Sequence, residues 1–367
     1  MSVQFHTLTI SDVLRVTADA VAITFDVPEE LRPVFLYKHG QYITIKVEVD
    51  GVSHRRNYSL CSSPVMDEPL TIAVKRVNDG VVSSWIDNHA VAGLKVEVYP
   101  PMGNFTKDLD PTHVRHYTMF AGGSGITPIL SILKSILRVE KESVVTLFYA
   151  NRNKASVIFS DTLDQLVASS NGKFRLVQIL EDNLDASDAS LPGSLYTGIM
   201  DALMLERLIA DYVPSFGSVE AFVCGPGPMM DNVIRVLHSH NLDDKKIHRE
   251  YFTLNKDNME SEIENSATAG EADEVVTRSV TIRIYGTSFT FDVEPDETIL
   301  TAAQRANVDP PYACQIGACC TCRAKLLTGK VHMDEREALS DDEIEDGYIL
   351  TCQSHPLTAD VVADYDQ

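Results

Sequence analysis

Five of the seven cysteines in this chain sit at two places, and their spacing suits metal chemistry. The stretch Cys314-Gln315-Ile316-Gly317-Ala318-Cys319-Cys320-Thr321-Cys322 is followed thirty residues later by Cys352. Cys314, Cys319, Cys322 and Cys352 make a C-x4-C-x2-C…C pattern. Three thiolates converge from one short loop and a fourth closes the far side, which is how four sulfurs hold a [2Fe-2S] cluster. Gly317 and Ala318 keep bulk away from the inorganic sulfides. A Cys3His zinc site, with Cys352-x2-His355 beside Cys319-x2-Cys322, is the competing ligand set. Adjacent cysteines point in different directions, so Cys320 is read as a small neighbour of the site and not as a ligand.

The elements around this loop must hold it rigid. Val280-Thr281-Ile282-Arg283-Ile284-Tyr285 alternates in polarity, turns at Gly286 and returns through Phe289-Thr290-Phe291-Asp292-Val293, the pattern of a hairpin. A helix is expected from Thr298, with Ile299, Leu300, Ala303 and Ala306 on one face. From Val276 to Gln367 the chain resembles a β-grasp ferredoxin of the plant type, an α+β fold.

A second group able to do chemistry is Arg56-Asn57-Tyr58-Ser59, which offers a guanidinium fork, a ring and a hydroxyl. It lies among short alternating runs, Leu8–Ile10, Ala22–Val27, Tyr42–Val47, Leu70–Lys75 and Leu94–Val98, as in an antiparallel β-barrel. A short helix is expected to begin at Ser83, capped by serine, just after Gly80. With His39-Gly40-Gln41-Tyr42 before it, and Val74-Lys75-Arg76, Gly80-Val81-Val82-Ser83 and Pro101-Met102-Gly103-Asn104-Phe105 after it, the group resembles the flavin domain of the ferredoxin-NADP reductase superfamily. The resemblance implies that Arg56 holds the flavin pyrophosphate. The free amides of the Ser83 helix form a second anion site, flanked by Val74, Lys75 and Gly80. Tyr58 stacks on the isoalloxazine and Ser59 faces its N5. Two pyrophosphate elements favour FAD over FMN.

Further on, buried strands alternate with helices: His116–Ala121, a helix Pro128–Leu137, Val144–Tyr149, Phe174–Leu180 and Ala221–Cys224. At least four strands in that alternation mean a doubly wound parallel α/β sheet. Gly122-Gly123-Ser124-Gly125-Ile126-Thr127-Pro128 follows the first strand, where glycines let backbone amides approach a pyrophosphate. Cys224-Gly225-Pro226-Gly227-Pro228-Met229 follows a later one. The superfamily resemblance assigns Gly122, Gly123, Ser124, Gly125 and Thr127 to the nicotinamide dinucleotide. It places Cys224 and Gly225 beside the nicotinamide, and makes Phe252 the aromatic that shields the flavin until nicotinamide displaces it. Glu181 and Asp182 end the Phe174–Leu180 strand with carboxylates, which repel a 2′-phosphate and suit the free ribose hydroxyls of NADH. Arg152, after the preceding strand, is the residue that argues for NADPH.

A chain of 367 residues exceeds one core, so several domains are expected. The division read here is a flavin barrel over 1–108, a nicotinamide domain over 109–254, a flexible acidic linker over 255–275 and a ferredoxin domain over 276–367. The formal charge is −22, and from Val276 onward seven Lys/Arg face sixteen Asp/Glu. Such a balance excludes nucleic acid as a partner, since phosphate binding needs a basic stripe. It leaves a solvated acidic surface or a docking face for a basic protein. No apolar run spans a membrane and no secretory signal is visible, so with reduced thiols a cytoplasmic protein is expected; a monomer is expected as well.

In this order the domains resemble one-protein reductases that feed oxygenases. The resemblance implies that NADH gives a hydride to FAD, which splits the pair into single electrons for the cluster and then for a separate oxygenase, most simply a Rieske enzyme. No residue set here resembles an oxygen-activating site. Tyr149-Ala150-Asn151-Arg152-Asn153, Ser156-Val157-Ile158-Phe159 and Ala221–Pro228 look most like the reductases of 3-ketosteroid 9α-hydroxylases. Reductases of phenylacetyl-CoA epoxidases, which feed a di-iron oxygenase, share the order, and a redox-sensing regulator is the reading from another class.

Overall fold

In the computed structural model, residues 4–182, 193–213, 215–252 and 276–367 are described. The expected acidic linker lies outside the described residues. The first sheet has strands β1 (His6–Thr17), β2 (Ala20–Asp26), β3 (Tyr42–Val49), β4 (Val52–Ser59), β5 (Thr71–Lys75) and β6 (Lys95–Met102). They pair antiparallel in the order β4-β3-β6-β1-β2-β5. Just beyond β4, Leu60 bridges Ile72 of β5, so the two edge strands meet and the sheet curls on itself. Leu8, Ile23, Ile43, Ile45, Ile72 and Val98 fill the interior at 2% exposure or less. β4 is a strand that alternation did not reveal. Its polar run His54-Arg55-Arg56-Asn57 carries no apolar face, because it serves contacts outside the barrel. Helix α1 (Val81–His89) begins two residues before Ser83, with Gly80 as the cap residue and no side-chain cap. The Ser83 hydroxyl instead accepts from the Val77 amide at 3.1 Å, which stiffens the turn leading into the helix.

The second sheet is wholly parallel, in the order β10-β9-β8-β7-β11-β12: β7 (His116–Gly122), β8 (Val144–Asn151), β9 (Phe174–Leu180), β10 (Ser194–Thr197), β11 (Val219–Cys224) and β12 (Ile247–Glu250). Every residue of β7 and β11 is buried, as expected of strands covered on both faces. The edge strands β10 and β12 have four residues each, too few to show a period. Helices α2 (Ile126–Val139), α3 (Ser160–Ser169), α4 (Ala202–Tyr212) and α5 (Gly227–Ser239) complete the crossovers. Strand order reverses between β8 and β11 on either side of β7, and such a switch opens a crevice at the carboxyl ends of the strands. α2 also joins this sheet to the barrel: Ser131 donates to the Ser62 carbonyl at 2.6 Å, and the Lys134 ammonium meets Glu68 at 3.0 Å.

The third sheet, ordered β14-β13-β19-β15-β17, mixes directions. β13 (Arg278–Ile284) and β14 (Thr287–Val293) form the expected hairpin, and β13 pairs in parallel with β19 (Val361–Asp364). β15 (Arg323–Thr328) pairs antiparallel with β19 and with β17 (Tyr348–Leu350). β16 (Val331–Met333) and β18 (Ser354–Pro356) form a small ladder beside it. Helix α6 (Ile299–Arg305) is capped by Thr298, whose hydroxyl accepts from the Thr301 amide, and buries Ile299, Leu300, Ala302 and Ala303. A last helix, α7 (Asp341–Glu345), carries a capping box between Ser340 and Glu343.

Candidate active site

The cysteine loop lies between α6 and β15. Cys319, Cys322 and Cys352 are buried and Cys314 is partly accessible, and all are free thiols. The Cys319 and Cys314 sulfurs lie 3.1 Å apart, and the Cys352 thiol lies beside both Cys314 and Cys322. Contact with Cys314 and then burial push the Cys319 thiol well up, so a metal bound here would displace protons. The Ile316 amide and the Gln353 side-chain nitrogen point at sulfurs 3.5 Å away, donors suited to thiolates. Gly317 sits at φ +77°, and a Cβ there would lie 2.6 Å from Glu335 Cγ, so glycine is required by neighbouring protein as well as by any sulfide. Cys320 donates its thiol to the Ala338 carbonyl at 3.2 Å, outside the quartet. His355 bonds Asp334 at 2.9 Å. Four sulfurs and no histidine therefore meet in one place, a donor set that fits a two-iron cluster.

This loop forms one wall of a cleft of about 240 Å³ whose other walls come from the first two sheets. Arg56, Asn57 and Ser59 of β4 line it with Glu250, Tyr251 and Phe252, opposite Cys314, Ile316, Ala318 and Cys319. Phe252 is 41% exposed there. Arg56 is also exposed; its guanidinium donates to the Arg55 carbonyl and leaves donors free for an anion. Tyr58 is partly buried, and desolvation holds its hydroxyl well above the ordinary tyrosine range, so it acts as a neutral ring.

At the cleft floor Ser59 Oγ donates to Glu250 Oε2 at 2.9 Å, and Glu250 is the strand partner of Cys224. Burial raises the Glu250 carboxyl to about 8, with the Ser59 hydrogen bond pulling back. Burial, then the Glu250 carboxyl, push the Cys224 thiol well up, so it stays neutral. Glu250 was not singled out by the sequence. A glutamate in a short edge strand carries no pattern, and only the packing of β12 on β11 gives it these neighbours.

The two glycine-rich turns meet at the switch point. A Cβ on Gly125 would lie 2.1 Å from the Cys224 carbonyl oxygen, and one on Gly225 2.9 Å from the Gly122 nitrogen, so the backbones are pressed together. Thr127 donates to the Ser124 carbonyl at 3.0 Å. The Lys75 ammonium reaches Gly123 from the barrel side, 3.8 Å from where its Cβ would stand. Val74 points into the barrel core, so its side chain supports the site without facing it. Gly80 and Ser83 lie in the first turn of α1 and do not line the cleft. Glu181 and Asp182 leave the carboxyl end of β9 exposed, their amides bonded to the Asn151 and Arg152 carbonyls at 3.1 and 2.9 Å.

Three family models match successive parts of the chain: an oxidoreductase FAD-binding domain over residues 7–125, an oxidoreductase NAD-binding domain over 119–235 and a 2Fe-2S iron-sulfur cluster binding domain over 282–357. The ferredoxin reductase component of 3-ketosteroid-9-alpha-monooxygenase from Rhodococcus rhodochrous is 36% identical over 354 residues, 96% of this chain and 94% of that one. The chain belongs to the ferredoxin-reductase components of oxygenases. A component of the 1,2-phenylacetyl-CoA epoxidase of Escherichia coli (strain K12), 37% identical over 363 residues, 99% of this chain and 98% of its own, is a further relative. Phthalate dioxygenase reductase shares the fold across 98% of both chains, with a TM-score of 0.55 at 24% identity. As a member of this family the chain is a nicotinamide-dependent flavin and iron-sulfur oxidoreductase that uses FAD, a [2Fe-2S] cluster and NAD(H). Among the described residues no helix is long and apolar enough to cross a membrane.

Proposed function

We propose that this reductase is a cytoplasmic monomer that takes electrons from NADH and passes them singly, through Cys314, Cys319, Cys322 and Cys352, to a separate terminal oxygenase. The observation that carries the reading is the shared cleft, in which Arg56 and Ser59 of the barrel face Cys314 and Cys319 of the ferredoxin segment. FAD held here would supply the conversion of a two-electron hydride from the nicotinamide into single electrons. The residues supply the rest. Arg56 and the first turn of α1, with Lys75, Gly80 and Ser83, hold the pyrophosphate, Val74 backs them from the core, and Tyr58 shelves the ring. Ser59 holds a hydrogen-bonded path from the ring edge to the neutral Glu250 carboxyl, a buried acid that has a proton to donate. Gly122, Gly123, Ser124, Gly125 and Thr127 receive the dinucleotide phosphates, with Cys224 and Gly225 beside the nicotinamide and Phe252 occupying its place when it is absent. Glu181 and Asp182 receive the ribose hydroxyls of NADH.

The partner meets the acidic ferredoxin surface. Asp341, Asp342, Glu345 and Asp346 are exposed around α7, whose Ile344 and the preceding Leu339 pack with Cys322 and Cys352. A basic oxygenase docked on α7 would therefore stand behind two of the four sulfurs. Glu343 is excluded from that surface, because it is occupied by Arg323 and Asn104. The candidate partners are a 3-ketosteroid oxygenase and a phenylacetyl-CoA epoxidase, the systems for which the two relatives are named. Purified reductase mixed with each oxygenase, its substrate and NADH tests this by product formed per NADH. Tight coupling with one partner supports the reading; uncoupled NADH oxidation with both, beside slow reduction of artificial acceptors, would favour a sensor.

A further inference from the structure

Arg55 is 3% exposed, yet its charge is not spent inside the barrel. It reaches into the ferredoxin segment, where Nη2 donates to both Asp309 carboxylate oxygens at 2.6 Å and Nη1 donates to the Pro310 carbonyl at 3.0 Å. Its guanidinium carbon lies 5.0 Å from the centroid of the Phe5 ring and 4.2 Å from that of Tyr312. One aromatic belongs to the barrel side and the other to the ferredoxin segment, so a single cation is held by a residue of each. Planar, bidentate and stacked recognition of this kind is particular to arginine. Two residues along β4, Asn57 Oδ1 accepts from Thr321 Oγ1 at 3.4 Å. On β3, the Tyr42 hydroxyl accepts from the Cys320 amide at 3.0 Å, and its ring packs with Ala313 and Cys319. Residues one apart on a strand face opposite ways. Arg55 can therefore bind the ferredoxin segment while Arg56 lines the cleft.

We propose that Arg55 is a positioning residue that clamps the ferredoxin domain onto the flavin barrel, with the cysteine loop closing the cleft, so that electrons pass from flavin to cluster within one chain. This rests on the reductase reading above. Asp309 is the exposed half of the clamp, with 67% of its side chain accessible, so it can be changed without opening a core.

The test uses the full-length holoprotein and the variants Arg55→Met and Asp309→Asn. Under anaerobic conditions NADH is added, and flavin bleaching and cluster bleaching are followed separately in one reaction. Each NADH becomes NAD+ and supplies two electrons, of which the cluster takes up one and the flavin keeps the other. In R55M the cluster is expected to bleach at least about tenfold more slowly, with flavin bleaching and iron per chain unchanged. D309N, which keeps one neutral acceptor for Arg55, is expected to fall between R55M and wild type. A second readout needs no turnover: by solution scattering the radius of gyration of R55M is expected to rise by about a tenth as the domain comes off. Cluster bleaching at the wild-type rate in R55M and D309N overturns the clamp, whatever the scattering shows. If R55M assembles without iron, D309N alone decides by the same two rates. Failure of the reductase reading looks different, because wild-type flavin would then not bleach with NADH at all.

Discussion

At the scale of single residues, adjacent cysteines have been given unlike surroundings. Cys314 touches Cys319 and Cys352, whereas Cys320 is turned to the Ala338 carbonyl. Replacing Cys314 with serine is expected to bleach the visible cluster spectrum and lower iron per chain while NADH still reduces the flavin. Cys320→Ser is expected to keep its iron, since a hydroxyl can donate to the same carbonyl. Glu250 gives a pH signature. Its folded carboxyl is raised to about 8, above the ordinary glutamate value of 4.5, chiefly by burial. Between those values the folded state keeps a proton that the unfolded chain releases, so this group lowers stability as pH rises through the window, by at most about 1.4 kcal/mol per unit. Glu250→Gln removes the effect. Melting temperatures of the two proteins should agree near pH 4.5, diverge in favour of the variant up to pH 8 and run parallel above it; a constant gap would mean that Glu250 is ionised throughout.

At the scale of elements, the carboxyl edge of the parallel sheet is expected to set which nicotinamide is used. β9 delivers Glu181 and Asp182 to that edge, and two carboxylates there repel a 2′-phosphate carrying nearly two charges. Arg152, exposed at the end of β8, opposes them, and its carbonyl accepts from the Asp182 amide, which sets the two side by side. NADH is expected to be preferred over NADPH by tenfold or more in kcat/KM, about 1.4 kcal/mol at the transition state. Steady-state kinetics with both cofactors checks this. Equal efficiencies would give the specificity to Arg152.

At the scale of the whole molecule, the proposed docking would draw on the charge of the ferredoxin segment. Seven Lys/Arg against sixteen Asp/Glu after Val276 give the ferredoxin segment a field that a basic oxygenase can follow. Screening shortens that field to about 8 Å at physiological ionic strength. Electron delivery to the oxygenase is therefore expected to weaken with added salt, and NADH-dependent reduction of ferricyanide much less. A flat salt response in the coupled assay would leave the acidity a role in solubility alone.

The sequence by itself determined the parts that are local. The Cys314–Cys322 loop, the Gly122–Pro128 turn and the Arg56–Ser59 group are each written within a few consecutive residues, because a loop that grips a small rigid ligand must bring its donors from nearby. Hydrophobic alternation likewise disclosed strands of the barrel and the β13–β14 hairpin. Polar β4, the short strands β10 and β12 and the start of α1 escaped it, since their places are set by neighbours and not by a period of their own. Only the tertiary structure decided what faces what. Ser59 meets Glu250 across 191 positions and Arg55 meets Asp309 across 254. Pairings over such separations leave no spacing to read, because the contact depends on how three sheets pack and not on how any one segment folds.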